Sequence, residues 1–118
     1  MVFIALILLL VLILLFRLPN NNANILRDAI LVSHPEKTIG QAFNDAFGEA
    51  GKWIDYNENN TDYVMYVNTA AYKDICVIFK ITKSYDVVVD KLYLDLQDYT
   101  NATTDFMDRV YYAPESFK

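Results

Sequence analysis

The chain has 118 residues and a formal net charge of −5, enough for one small domain with a modest core behind a leading segment. No cluster of Lys and Arg offers phosphates a binding stripe, which excludes a duplex nucleic-acid binder. The one cysteine, Cys76, excludes an internal disulfide framework. It lies in an apolar run and reads as a buried, inert thiol.

Residues 1–16, MVFIALILLLVLILLF, carry no charged side chain, and Arg17 closes the run. At 1.5 Å per residue, 16 to 18 helical residues span roughly 24–27 Å, the short end for a bilayer crossing. No basic stretch precedes the run and no small-x-small cleavage site follows it, so it reads as an uncleaved membrane anchor over residues 1–18 rather than a signal peptide. No cysteine stands just after it to accept a lipid. Arg17, Arg27 and Lys37 all lie on its C-terminal side, which by the positive-inside rule would hold the domain in the cytoplasm.

Residues 19–32 form a linker and lead-in. LPNNNAN is turn-forming, and ILRDAILVS, residues 25–33, reads as a short helix or a stiff approach. His34-Pro35 interrupts it, because the residue before proline avoids helical angles. His34 is the only histidine and reads as a turn residue, since no metal or catalytic partner stands near it in sequence. Residues 33–118 then form the folded domain.

PEKTIGQAFNDAFGEAGKW, residues 35–53, is the segment around which the domain is organised. Thr38 and Gln41 have the spacing of a capping box. Ile39, Ala42, Phe43, Ala46 and Phe47 fall on one helical face. The pattern predicts a helix over residues 38–50 with Gly51 as its stop. Gly40 and Gly48 each weaken it by about 1 kcal/mol relative to Ala, so the helix needs a sheet to lie on.

Beyond Trp53 the period changes to two. KWIDY (52–56), TDYVMYVN (61–68), ICVIFKIT (75–82) and DVVVDKLYLDLQ (86–97) read as four strands, joined by NENN, TAAYKD and KSYD. The third is apolar on both faces and predicts the central strand. In the fourth, Val87 and Val89 share one parity and Leu92, Leu94 and Leu96 the other. A β-bulge at Asp90-Lys91 produces that slip, and a hairpin there is the rival. Short connections predict an antiparallel meander. TTDFMDRVYYAP, residues 103–114, predicts a short C-terminal helix with Phe106, Met107, Val110 and Tyr111 as its stripe. The expected class is α+β: an N-terminal transmembrane helix, an amphipathic helix on a four-stranded meander, and a short closing helix.

The order PEKTIGQAF, then Trp53, then three strands ending in DKLYLDL resembles an uncharacterised bacterial family of small extracytoplasmic domains carried behind a single membrane anchor or a lipoprotein signal. The resemblance covers roughly residues 33–98. It implies a helix-plus-sheet domain outside the membrane, in the cell envelope, and brings no catalytic residue. Pro35, Thr38, Ile39, Gly40, Ala42, Phe43 and Trp53 carry it and read as structural.

No phosphate loop, HExxH, CxxC or GxSxG occurs, so no catalysis, cofactor or metal is expected. The acidic C-terminal third lacks the spacing of a calcium loop. Nine tyrosines are the notable excess. One helix covers only one face of a meander, and the other face is too apolar to stand wet without a reason. Tyr66, Ile78, Tyr93 and Tyr111 are the candidate interaction patch on it, with the C-terminal helix lying at its edge, because Tyr is enriched at interfaces. Two readings follow. One is a membrane-anchored module that binds a protein partner or itself. The other is a structural subunit of an envelope assembly whose apolar N-terminus packs in the membrane or in a filament core.

Overall fold

The structure, a computed structural model, describes residues 22–70, 73–84 and 86–117. The anchor expected over residues 1–18 lies outside them. Within them the fold is α+β. Helix α1 (Asn22–Asp28) and helix α2 (Ile39–Phe47) precede strands β1 (Lys52–Glu58), β2 (Thr61–Asn68), β3 (Ile75–Ile81), β4 (Val87–Leu94) and β5 (Gln97–Asp98); helix α3 (Thr103–Tyr112) follows, flanked by 3-10 turns at Thr100–Ala102 and Pro114–Phe117. The sheet is an antiparallel meander in sequence order. It has five strands rather than the expected four.

Helix α2 starts as its sequence dictates. Thr38 Oγ1 accepts from the Gln41 N–H at 3.1 Å, and Gln41 Oε1 accepts from the Thr38 N–H at 3.0 Å, closing the capping box. It ends earlier than expected. Gly48, not Gly51, takes the left-handed conformation (φ 80°) and donates its N–H to Asn44 O. Gly51 serves a different need: its backbone passes over Tyr66, where a Cβ would overlap the ring.

The helix face lands on one face of the sheet. Phe43 is fully buried with its ring 4.8 Å from Tyr66, 5.4 Å from Trp53 and 5.7 Å from both Phe47 and Phe79. These edge-on pairs each add about 0.5–1.5 kcal/mol to the burial itself. Val64, Val77, Phe79 and Leu92 form the floor beneath them. Asn68 is buried at the far end, where its Nδ2 donates to Phe47 O, a terminal carbonyl of α2, and to the Tyr66 hydroxyl.

The bulge in β4 is real. Ile78 pairs with Lys91 and Phe79 with Val89, leaving Asp90 as the extra residue. The slip keeps Val87 and Val89, as well as Leu92 and Leu94, against the helix-side core. What the sequence reading missed lies just beyond. Asp95 (φ 49°) and Leu96 (φ 71°) make a two-residue hairpin turn, which splits the expected strand 86–97 and adds β5. Asn59 (φ 53°) and Asn60 (φ 62°) make the same kind of turn between β1 and β2, with residues better suited to it.

Two placements differ from expectation. The lead-in helix forms at Asn22–Asp28 rather than at 25–33. Helix α3 packs on the same face as α2, not at the edge of the opposite one. Phe106, Met107, Val110 and Tyr111 join the core that contains Phe43 and Phe47. Asp98 helps to start this end of the chain by accepting the Thr100 N–H at 2.8 Å. That bond and the Thr100 hydroxyl hold its carboxyl below the usual range.

Removing the Phe43 ring opens a cavity that four rings border, so Phe43→Ala should cost about 3–5 kcal/mol in denaturant melts. A loss below about 1 kcal/mol would mean that α2 is not seated on the sheet. At the β4–β5 turn, Leu96→Asn should raise stability by up to about 1 kcal/mol, because Asn tolerates a left-handed backbone and Leu does not. A lower melting temperature would show that the Leu96 side chain outweighs its backbone strain.

Candidate functional site

The segment between α1 and α2 folds into a tight turn. His34 N–H donates to Leu31 O at 3.0 Å, and the two residues form an isolated antiparallel bridge. Pro35 stops the preceding chain from continuing as helix. The turn drives the His34 ring inward, where it is buried. His34 Nε2 and Asp108 Oδ1, on α3, lie 2.8 Å apart. Nδ1 lies 2.8 Å from Ser33 Oγ. A carboxylate only accepts, so Nε2 carries the proton toward Asp108, and in the neutral ring Nδ1 accepts from the Ser33 hydroxyl. The ring stacks on Tyr111 at 4.5 Å and lies 5.3 Å from Tyr112, whose hydroxyl reaches Glu36 at 3.4 Å.

This polar chain forms one wall of a cleft of about 410 Å³. Val87 and Val89 of β4 face it, with Val88 between them turning its side chain to the other face of the sheet, and Met107, Thr103 and Thr104 complete the lining. The cleft thus offers apolar surface on one side and hydroxyl, imidazole and carboxylate groups on the other. That composition suits a ligand with both characters. The order hydroxyl, imidazole, carboxylate is also that of a general base holding a nucleophile. Acyl transfer further needs donors aimed at an oxyanion, and the side chains of β4 that face Ser33 and His34 are the apolar Val87 and Val89.

A second depression, of about 360 Å³, has Phe47, Leu94 and Phe117 at its base and Lys73 and Arg109 on its rim. Arg109 is already engaged. It donates to Ser116 Oγ from Nε and Nη2 and lies 4.5 Å above the Phe117 ring.

The four residues of the expected patch are not one surface. Tyr66 and Tyr111 are buried in the helix-side core, and only Ile78 and Tyr93 stand on the opposite face. Strand parity is the cause. Tyr66 pairs with Val77, so it shares the face of Phe79. Met65 is the residue of β2 that stands beside Ile78. Cys76 is buried on that second face, as expected of an inert thiol, and burial pushes its pKa up to about 12. Tyr72 and Tyr85 lie outside the described residues.

Sequence reasoning placed His34 correctly in a turn but did not pair it with Asp108, which lies 74 residues away. The usable signal was the lone histidine before a proline, with Asp108 one residue past the Phe106–Met107 pair on the C-terminal helix. Nor did it find Asp55, which is buried on the edge strand β1. Among the described residues no group of three or more His, Cys, Asp or Glu side chains could hold a metal ion, and no helix is long and apolar enough to cross a membrane. A scan of the chain against protein-family models found no match, and neither did searches of curated proteins and of solved structures.

The Tyr111 hydroxyl is buried and has no hydrogen-bond partner among the described residues. Burial, with the Glu36 carboxylate nearby, pushes its pKa up to about 12. A raised pKa favours the protonated form in the folded state. The associated stability is complete below the phenol's ordinary value near 10 and is lost as the pH climbs toward 12. Tyr111→Phe should therefore leave stability at pH 7 unchanged or raise it by about 1 kcal/mol. It should also flatten the alkaline limb of the stability curve. A clear loss at pH 7 would show that the hydroxyl is bonded after all.

Proposed function

We propose that the protein is a membrane-anchored interaction module with no catalysis of its own. Residues 1–18 hold it to the membrane, and the domain stands on the extracytoplasmic side. It meets its partner through the cleft between the Leu31–His34 turn, β4 and α3. One observation carries the reading: a polar chain of Ser33, His34 and Asp108 runs beside an apolar valine wall at an open depression. Buried polar chains that only hold a fold together need no such opening. The uncharged N-terminal run supports the tether. The resemblance of residues 33–98 to anchored envelope domains supports the side of the membrane. A protein or peptide partner suits the cleft, because backbone amides match its hydroxyl and carboxylate groups while side chains meet the valines.

Two measurements on cells making the full chain test this. The protein should stay in the membrane pellet after a high-salt wash, and protease added from outside should digest the domain. A photoreactive amino acid in place of Thr104, which is exposed and lines the cleft, should then yield one defined protein adduct. That adduct should disappear when Thr103, also on the cleft, is replaced by Lys. Adducts of equal yield from an unrelated exposed position such as Asp45 would overturn the cleft as the binding site. Labelling of Ser33 by a fluorophosphonate would replace this reading with acyl transfer.

A further inference from the structure

The second face of the sheet is closed, yet no described element lies on it. Ile54, Met65, Cys76, Ile78 and Tyr93 form its centre and are all between 0 and 9% exposed. Tyr56, Tyr63 and Val67 pack around them, and Tyr56 stacks on Tyr63 at 5.1 Å. All three described helices pack on the other face, through Leu26 of α1, Phe43 of α2 and Phe106 of α3. Side chains stand roughly perpendicular to a sheet, so neighbours screen their flanks and leave their tips open. Met65 at the centre is fully buried, and flank contacts alone do not achieve that.

The cover must be long and apolar. Residues 71–72, 85 and 118 are too short to provide it. Residues 1–16 carry no charged side chain and are aliphatic apart from Met1, Phe3 and Phe16. As a helix they would measure about 24 Å, close to the roughly 23 Å of a seven-residue strand. The join is also within reach. Helix α1 begins at Asn22 and packs beside β1, the edge strand. Residues 17–21 extend to about 17 Å, enough to pass around that edge to a layer about 10 Å away.

We infer that, in aqueous solution, the face centred on Met65 and Ile78 is the docking surface for the chain's own apolar segment, residues 1–16. The sheet and a bilayer then compete for the same residues. The inference goes beyond the proposed function, since it concerns the opposite face and stands whether or not the cleft has a ligand. The high pKa of the Cys76 thiol, caused by burial, agrees with a covered face.

Cys76 provides the test, because it is the only cysteine and lies on this face. Single cysteines are placed at Leu8, Leu9, Leu10 and Val11 of the full chain, one per protein, and oxidised at low concentration in detergent-free buffer. At least one should give an intramolecular disulfide, seen as a loss of about 2 mass units and of both thiols. The same four in a Cys76→Ala, Tyr112→Cys background, with the partner thiol on the helix side, should not. No product at any position, or equal yield in the control, overturns the inference. Intermolecular dimers alone would overturn it and assign the face to a second copy. In the unsubstituted chain, Cys76 should react with a maleimide at least about tenfold more slowly than in urea. Equal rates would also overturn it, whatever the fate of the variants. Lipid vesicles added before oxidation separate this inference from the anchor. Loss of the crosslink there shows that the bilayer wins the segment. Its persistence sinks the anchor and leaves the docking intact.

Discussion

The rest of the domain depends on where the Phe43 ring sits. It touches the next turn of its own helix at Phe47, the first strand at Trp53, the second at Tyr66 and the third at Phe79. Helix α2 carries one residue that resists helix formation, Gly40, and is stopped by another, Gly48, just past its end. Propensity therefore does not hold it, and the aromatic contacts do. Gly40 also lets α1 approach, since an added Cβ would press on the Arg27 backbone at 3.1 Å. A single aromatic anchor thus fixes the helix, and the helix fixes the elements on either side of it in the chain.

Most of the architecture was legible because it is written in short-range pattern. The capping box, the apolar stripe from Ile39 to Phe47, the alternation in β2 and β3, and the phase slip at Asp90 all sit within a few residues of one another. The Asp95–Leu96 turn was hidden because leucine is a poor candidate for a left-handed backbone. The face of each strand was harder still. Parity in TDYVMYVN is balanced, with Tyr, Met and Val on one side and Val and Tyr on the other. Only the register with β3 decides that Tyr66 goes under the helix and Met65 does not. The cleft was not legible at all, since Ser33, His34 and Asp108 meet only through the tertiary fold.

The two polar nodes divide the labour at opposite ends of α2. Asn68 satisfies a carbonyl at the C-terminal end of the helix and the hydroxyl of Tyr66, and is itself almost fully buried. His34 sits before the N-terminal end, with one ring edge on α3 and the other on an exposed serine. Buried and satisfied polar groups give a core a single arrangement. A group that is satisfied and also borders a cleft can exchange one of its bonds for a ligand's without leaving a void. The His34 side of the molecule is where a satisfied polar group and a cleft coincide.

The meander order has a further consequence for how the chain acquires its shape. Each strand pairs with the one made just before it, across connections of two to six residues, so the sheet can assemble progressively as the polypeptide emerges. The clasp between His34 and Asp108 spans 74 residues and waits for the last helix. Until α3 is made, the domain can have its sheet and its first two helices but lacks one side of the helical layer. A chain cut short before α3 would leave Phe47 without its stacked neighbour Phe106 and open to whatever quality-control protease surveys its compartment.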